Sequence, residues 1–156
     1  MHVASWQAAY REIIPAEVIE SWPLDRRITQ WTSLLEAAGT EGTIFILVAV
    51  ADAEVIGFVS SRASEDSDGE DVCEVSAIYV APEVQRRGAG HALLAAACDA
   101  LQAAGFDQAT LWVLAHNTAA RAFYEREGWK PDGASQPLGD TGILELRYCK
   151  RLARAP

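Results

Sequence analysis

The sequence predicts an α+β domain, a three-layer α/β arrangement with a mixed, mostly antiparallel central sheet and helices on both faces. Three observations support this. Two amphipathic helical segments come first, a hairpin pattern follows, and strand–helix–strand–helix with a terminal strand completes the chain. The 156 residues, half of them apolar, suffice for one well-packed domain spanning residues 1–156.

Helical spacing of apolar residues marks the first forty positions. Residues 1–11 predict one helix, residues 15–20 a short helix opened by Pro15, and residues 25–38 an amphipathic helix ended by Gly39. The inward residues expected on this last helix are Ile28, Trp31, Leu34 and Leu35. Trp6, Trp22 and Trp31 are expected in the core.

A hairpin pattern comes next. Residues 43–50 are β-branched, aromatic and apolar throughout, which predicts a strand buried on both faces. Residues 51–53 predict a turn, and residues 54–61 predict the returning strand. The acidic residues that crowd positions 64–71 predict a solvated loop.

The stretch from residue 72 to residue 101 predicts a strand, a hinge and a long helix. The apolar residues 75–80 lead into the hinge, and a helix over residues 89–104 leaves it, ended by Gly105. One face of that helix is apolar and carries Leu93, Leu94, Ala97, Cys98 and Leu101.

The hinge itself, residues 85–90, reads Gln-Arg-Arg-Gly-Ala-Gly. Its glycines allow close backbone approach, the helix start presents unpaired N–H groups, and Arg86 and Arg87 add charged donors. This combination favours a phosphate or pyrophosphate site, with a plain tight turn as the alternative. Leu93 stands where a dinucleotide fingerprint needs a small residue, and the Gly-Lys-Ser/Thr of a P-loop is absent.

The last third of the chain again predicts strands and a helix in alternation. Residues 110–115 predict a buried strand, and Asn117 or Thr118 caps a short helix that runs to Glu127 and ends at Gly128. Residues 129–131 predict a brief strand, and residues 132–142, rich in Gly, Pro and Ser, predict a loop. A final half-buried strand points Leu144, Leu146 and Tyr148 inward.

Composition excludes several function classes. A net charge of −9 disfavours a nucleic-acid partner and tolerates a cationic substrate. No apolar run of about 20 residues and no leader pattern occur, so we expect neither membrane spans nor secretion. Cys73, Cys98 and Cys149 lack metal-site spacing and are typical of reduced thiols in a cytoplasmic protein without a metal.

Two motifs together resemble the GNAT superfamily of acyl-CoA-dependent N-acyltransferases. One is the hinge, residues 85–90, preceded by Ile-Tyr-Val-Ala-Pro, and the other runs from Asn117 through Phe123-Tyr124 to Gly128-Trp129. The resemblance implies an N-acetyltransferase that moves acetyl from acetyl-CoA to a primary amine of a small molecule or peptide. It further implies direct attack in a ternary complex, no metal, and a monomer or homodimer.

The resemblance also assigns cofactor contacts. The backbone of Ile78, Tyr79 and Val80, at a strand bulge, would bind the pantetheine arm, and Asn117, Ala120 and Phe123 would line it. The pyrophosphate would lie on the backbone N–H groups of Arg86, Arg87, Gly88, Ala89, Gly90 and His91. The His91 side chain either donates to a phosphate or is an ordinary exposed helix residue, and Asn117 can also cap its helix.

Acyl transfer to an amine needs an acid for the departing thiolate and a base for the attacking ammonium. The resemblance places Tyr124 at the CoA sulfur, as general acid. Glu74 is the candidate base, expected on the same face of its strand as Ser76 and Ile78, where burial would raise its pKa. His116, an ordered water, or a Glu74 that is only a solvated strand end remain alternatives.

Further expectations stay open. The chain begins inside the first helix, whereas GNAT members begin with a strand. We therefore expect either an upstream start or a sheet that lacks its first strand, whose bare edge at residues 43–50 a second chain could pair. Trp22, Trp31 and the acidic loop are candidate acceptor lining. A non-catalytic acyl-CoA-binding regulatory module is the alternative function, and the acidic balance disfavours an aminoacyl-tRNA acetyltransferase.

Overall fold

The computed structural model of the chain describes residues 14–17, 24–38, 44–66, 69 and 71–152. Its three longer helices in these ranges are α1 (Leu24–Ala38), α2 (Ala89–Ala103) and α3 (Thr118–Arg126). Short 3₁₀ turns occupy Pro82–Val84 and Gly139–Thr141. No helix among the described residues is long and apolar enough to cross a membrane.

The strands form one sheet with the order β1-β2-β3-β4-β6-β5. Their ranges are β1 Ile44–Ala51, β2 Glu54–Ala63, β3 Val72–Val80, β4 Gln108–Leu114, β5 Lys130–Pro137 and β6 Leu144–Arg151. All neighbours pair antiparallel except β3 and β4, which run parallel. The predicted mixed, mostly antiparallel sheet is therefore confirmed.

The main core lies between the sheet and α2. The five α2 residues predicted to face inward are all buried, and they pack with Val59, Cys73 and Val75 from β2 and β3. We call this side of the sheet the α2 face. Helix α1 lies on the other side, where Trp31 meets Phe58 edge-on with ring centroids 4.7 Å apart. Helices on both faces are therefore confirmed.

Gly57 sets how closely β2, β3 and α2 approach one another. A Cβ atom at Gly57 would lie 2.9 Å from the carbonyl oxygen of Tyr79 and 3.0 Å from Cδ1 of Leu93. The first neighbour is backbone, so it cannot move aside alone. The short contact indicates that the α2 register against the sheet requires glycine here.

The β1–β2 hairpin confirms its predicted turn. Asp52 and Ala53 both have positive φ, 50° and 66°, the geometry of a type I′ turn, which matches the right-handed twist of the strands. Strand β1 is not buried on both faces as predicted, because it is the outermost of the described strands and Val48 and Val50 are 54% and 59% exposed.

The inward face of α1 was predicted only in part. Trp31 and Leu34 are half-buried, but Ile28 and Leu35 are 55% and 56% exposed, so their prediction was wrong. The apolar stripe read from the sequence is wider than the strip of helix that contacts β1 and β2. Helical periodicity gives the direction of an apolar face but not how much of it is covered.

The predicted loop at residues 132–142 was also wrong, since β5 extends to Pro137. Its backbone pairs with β6 from Lys130↔Cys149 to Pro137↔Leu144, with a register shift between Pro131 and Ser135. An edge strand tolerates prolines because the side without a partner needs no N–H donor. The turn-forming residues of this segment therefore predicted a loop, whereas pairing with the distant strand β6 makes it a strand.

Several predictions lie outside the described residues. They are the helix at residues 1–11, the positions Trp6, Trp22 and Gly39, and the question of a strand ahead of the first helix. Of the short helix at residues 15–20, Ala16 and Glu17 are helical.

We expect Gly57→Ala to lower the free energy of unfolding by about 1–3 kcal/mol, because the new methyl group overpacks the β3–α2 junction. Urea unfolding measures this. Gly90→Ala is the matched control: its Cβ would meet Phe123 at an ordinary 3.5 Å, so its unfolding midpoint should be unchanged or higher. Equal losses in both variants would contradict the close approach inferred at Gly57.

Candidate active site

A bulge in β3 reverses which residues face α2. Ser60 pairs with Ala77 and Ser61 with Val75, so Ser76 is an extra residue. Its hydroxyl donates to the backbone oxygen of Ser60 at 3.2 Å. Such an insertion bends a strand and shifts its alternation by one residue.

Before the bulge, Cys73 and Val75 contribute to the core on the α2 face; beyond it, Ile78 and Val80 do so. Tyr79 points to the opposite face, where its ring lies 5.6 Å from that of Phe58. The bulge thus lies directly ahead of residues 78–80, which the family resemblance assigned to the pantetheine arm.

Beyond the start of β3, the sheet opens. Strands β3 and β4 pair only at Val72↔Gln108, Cys73↔Ala109 and Glu74↔Thr110, while β4 stays paired with β6 as far as Leu114. Within the described part of the chain, no strand pairs with the β4-facing edge of residues 75–80. A strand edge that pairs with no neighbouring strand can hydrogen-bond an extended ligand, so this gap suits a ligand with amide groups.

The hinge between β3 and α2 forms the end of this gap. Gln85 turns back and donates from Nε2 to the Val80 carbonyl oxygen at 3.1 Å. Arg86 takes a positive φ of 63°, and Gly88, the N-cap of α2, takes 88°. A non-glycine residue in this region carries backbone strain, which concentrates at functional sites.

Helix α2 begins without a side-chain cap. Its first intrahelical bond runs from the Ala92 N–H to the Gly88 carbonyl oxygen, so the N–H groups of residues 89–91 precede the regular ladder. Arg86 and Arg87 are exposed at the same place. Backbone donors and positive charge thus lie together at one helix end, an arrangement that favours an anion.

Helix α3 forms the wall beside this site. Asn117 is its N-cap, with Oδ1 accepting from the Ala120 N–H at 3.1 Å, and this settles the choice between Asn117 and Thr118. A Cβ on Gly90 would lie 3.5 Å from Cζ of Phe123 and 3.8 Å from Cγ2 of Val80. The structure thus brings β3, α2 and α3 together at residues predicted to bind the cofactor.

Tyr124 follows Phe123 and is buried among aromatic rings. Its ring centroid lies 5.3 Å from that of Phe123 and 6.4 Å from those of Trp129 and Tyr148. It belongs to the α2-face core that also contains Val75 and Leu93.

A polar network, which sequence reasoning missed, holds α3 in place. Arg121 donates from Nη1 to the Ala115 carbonyl oxygen at 3.0 Å and from Nε to the Tyr148 hydroxyl at 3.1 Å. That hydroxyl donates to Glu125 at 2.8 Å. Arg121 lies inside the second motif, but its β6 partner is 27 residues away, and no local pattern identifies it.

Glu74 lies where β3 and β4 part, as the last β3 residue paired with β4. Its side chain is only 13% exposed, and its Oε1 lies 3.7 Å from Nη2 of Arg62. It points away from α2, because its neighbours Cys73 and Val75 point toward it. The prediction that Glu74 and Ile78 share a face was wrong, because the bulge at Ser76 intervenes. We call this side the Glu74 face.

Burial raises the pKa of the Glu74 carboxyl above its ordinary value, Arg62 opposes the shift, and Asp66, Glu65 and Glu145 reinforce it. The Glu74 face therefore concentrates negative charge beside the gap. This local excess of carboxylates favours a cationic ligand there.

The acidic loop is not wholly solvated. Arg147 of β6 donates to Asp66 of this loop at 3.2 Å and to Asp132 of β5 at 2.6 Å. The same guanidinium lies over the Trp112 ring, 5.8 Å from its centroid. Glu145, two residues before Arg147, accepts from Gln136 at 3.0 Å. Sequence reasoning missed this cluster because residues 132–137 were predicted to be a loop.

Two histidines were candidate site residues, His91 as a phosphate donor and His116 as an alternative base. His91, in the first turn of α2, has Nδ1 2.7 Å from Oε2 of Glu127. His116 lies exposed in the turn that follows β4.

The three thiols are free, and Cys73 and Cys98 are buried. Burial raises the pKa of the Cys73 thiol to about 12, which keeps it protonated and unreactive at neutral pH. Among the described residues, no group of His, Cys, Asp and Glu side chains is arranged to hold a metal.

Comparison with known proteins agrees with this geometry. Residues 5–129 match the model of the acetyltransferase (GNAT) family. The uncharacterized N-acetyltransferase YuaI of Bacillus subtilis is 32% identical over 131 residues, covering 80% of this chain and 68% of that protein. Mycothiol acetyltransferase of Beutenbergia cavernae is 43% identical over 58 residues, 37% of this chain but only 20% of that longer protein.

Solved structures share the fold. The PaiA N-acetyltransferase of Thermoplasma acidophilum, in complex with coenzyme A, superposes with a TM-score of 0.77 at 23% identity, covering 93% of this chain and 86% of its own. A ribosomal-protein-alanine N-acetyltransferase of Brucella melitensis gives 0.70 at 23% identity, covering 96% and 91%. The family match, the YuaI relative and the shared fold establish that the chain belongs to the acetyltransferase (GNAT) family.

Proposed function

We propose that this acetyltransferase moves acetyl from acetyl-CoA to a primary amine of a small molecule or peptide, by direct attack in a ternary complex within a single domain. The observation that carries the proposal is the gap between β3 and β4. The anion site and Tyr124 lie on its α2 face, and Glu74 lies on the opposite face. Donor and acceptor can therefore enter from opposite sides and meet between the strands.

On the donor side, we assign the β4-facing backbone of residues 78–80 to the amides of the pantetheine arm. The N–H groups of residues 86–91, with Arg86 and Arg87, bind the pyrophosphate. Asn117, Ala120 and Phe123 form the adjoining wall. A structural neighbour was solved in complex with coenzyme A, which supports an acyl-CoA as the donor.

Tyr124 is assigned as general acid. A phenol with an ordinary pKa of about 10 is protonated at neutral pH, so Tyr124 can donate a hydrogen bond that stabilises the departing thiolate. The surrounding rings exclude water, which strengthens such a hydrogen bond. The position of Tyr124 next to Phe123, which contacts the start of α2, supports this role.

Glu74 is assigned as general base. A primary ammonium has a pKa of about 10.4 and must lose a proton before it can attack. A carboxylate whose pKa is raised by burial takes that proton more readily than a solvated one. The position of Glu74 where the strands part favours it over His116, and an ordered water between Glu74 and the amine is compatible with the same role.

Direct attack is favoured over an acetyl-cysteine intermediate. The intermediate route needs a thiolate at the gap, whereas Cys73 is buried with a strongly raised pKa and Cys98 lies inside the core. Reduced thiols also support a cytoplasmic location.

The acceptor is proposed to be cationic because carboxylates dominate the Glu74 face. The net charge of −9 argues against a nucleic-acid partner, and the proposed chemistry needs no metal. The protein is proposed to be a monomer or a homodimer. A non-catalytic acyl-CoA-binding module is the alternative, and retention of both Tyr124 and Glu74 argues against it.

Tyr124→Phe tests the acid. We expect kcat to fall by about 10²-fold or more, because the thiolate loses its proton donor, while the Kd for acetyl-CoA stays within about twofold. Thiol release in the presence of a panel of primary amines measures turnover, and calorimetry measures binding. Unchanged turnover would reject the role of Tyr124. Acetyl-CoA binding without turnover on any amine, in the wild type, would favour the non-catalytic module.

Glu74→Gln tests the base. We expect kcat/KM to fall by about 10²–10⁴-fold, and the rise of wild-type kcat/KM with pH, through the raised Glu74 pKa, to disappear. Glu65→Gln is the matched control, because Glu65 also pairs with Arg62 but is largely exposed. Equal losses of kcat/KM in both variants would show that the total negative charge on the Glu74 face matters, and that Glu74 is not a base.

Glu74→Gln should lower activity but raise the stability of the folded protein. Because the Glu74 pKa is raised in the folded protein, the folded state binds this proton more tightly than the unfolded state. The resulting stabilisation is complete below the ordinary carboxyl pKa and is lost as pH rises through the raised value. Glu74→Gln should therefore raise the free energy of unfolding at pH 7, with the difference shrinking below about pH 4. A loss of stability at pH 7 would contradict this.

A further inference from the structure

We propose that Glu127 is a positioning residue for the cofactor phosphates and acts through His91. This inference rests on the proposed function, because it needs a phosphate at the start of α2. It adds a carboxylate to a site that otherwise consists of cationic and N–H donors.

The contact joins two elements that are distant in sequence. Nδ1 of His91, in the first turn of α2, lies 2.7 Å from Oε2 of Glu127, the residue that caps the C-terminal end of α3, 36 residues later. The Glu127 carboxylate is 20% exposed, whereas the imidazole is 67% exposed. The anchor is therefore mostly buried, and the ring it holds faces solvent.

Two hydrogen bonds fix the backbone of the anchor, Glu127. The Glu127 N–H donates to the Phe123 carbonyl oxygen at 3.1 Å, and Lys150 of β6 donates from Nζ to the Glu127 carbonyl oxygen at 2.8 Å. Phe123 in turn contacts the α2 start at Gly90. The Glu127 backbone is thus held in place, and the contact with His91 places its carboxylate beside the first turn of α2.

The chemistry of the pair determines what the ring can do. An ionised carboxylate only accepts hydrogen bonds, so Nδ1 of His91 must be the donor. The other ring nitrogen, Nε2, is then an acceptor in the neutral imidazole and a donor in the imidazolium. With Nδ1 committed to Glu127, His91 can donate to a phosphate only as the imidazolium, through Nε2–H.

The negative charge of Glu127 needs an explanation at a site proposed to bind phosphates. Glu127 alone would repel an anion at the α2 start, so its presence there would weaken phosphate binding. Paired with an imidazolium, it fixes the direction of a cationic donor at a site where α2 has no side-chain cap. The charged groups on the segments that meet at this junction are Arg86 and Arg87 of the hinge, Arg126 at the end of α3, Glu127 just after it, and Lys150 of β6.

Calorimetric titration with acetyl-CoA from pH 5.5 to 8.5 tests this, on the wild type, Glu127→Gln, His91→Gln and the double variant. We expect each single variant to weaken binding at pH 6 by roughly three- to tenfold, the loss of one charge-assisted hydrogen bond at an exposed site. The double variant should bind no more weakly than His91→Gln. As pH rises, the ratio of Kd in His91→Gln to Kd in the wild type should fall toward one. Ionisation of the ligand's own phosphate cancels in this ratio, because both proteins bind the same ligand at each pH.

Two controls separate positioning from folding and from bulk charge. Acetyl-pantetheine lacks the nucleotide diphosphate, so its Kd should be the same in all four proteins. Glu83→Gln removes an exposed carboxylate just before the hinge and should bind acetyl-CoA as well as the wild type or better.

Three outcomes would overturn the proposal: tighter acetyl-CoA binding by Glu127→Gln, equal weakening toward acetyl-pantetheine, or additive losses in the double variant. Absence of acetyl-CoA binding by the wild type would instead overturn the cofactor assignment together with this inference.

Discussion

The structure depends on the early separation of two parallel strands. Strands β3 and β4 share only three residue pairs, and a sheet that loses its pairing in its middle must recover that energy elsewhere. Burial of one face of α2 against β2 and β3 compensates on one side, and continuous pairing of β4 with β6 compensates on the other. The opening is thus a stable feature, and the β3 edge with which none of the described strands pairs can serve an extended ligand.

Everything assigned to chemistry lies around that opening because of local geometry at its margins. The bulge at Ser76 turns Ile78 and Val80 toward α2 and leaves Glu74 on the opposite face. The glycine-capped start of α2 presents its N–H groups at the end of the opening. Helix α3, fixed by Arg121 and Tyr148, brings Tyr124 to the α2 face. The residues proposed as acid and base, Tyr124 and Glu74, therefore lie on opposite faces of the sheet.

The sequence predicted best what local physics determines. The five inward residues of α2, the glycine at its start and the Asn117 cap follow from periodicity and capping rules within a few residues. The sequence-based predictions failed where pairing between distant segments determines the local structure. Strict alternation put Glu74 and Ile78 on one face, but the bulge arises from the β2 register. Composition predicted a loop at residues 132–137, but β6 makes them a strand. Arg121 and Arg147 have partners that no local pattern reveals.

The most direct test is amide hydrogen exchange of the protein with and without acetyl-CoA, read peptide by peptide. If the opening between β3 and β4 holds the donor, exchange should slow in residues 76–80, 87–92 and 117–124, whose amides line the gap, the start of α2 and the start of α3. The β1–β2 turn at Asp52 and Ala53 should be unchanged. Protection confined to α1 or to the β5–β6 edge, with residues 76–80 and 87–92 unaffected, would contradict the account.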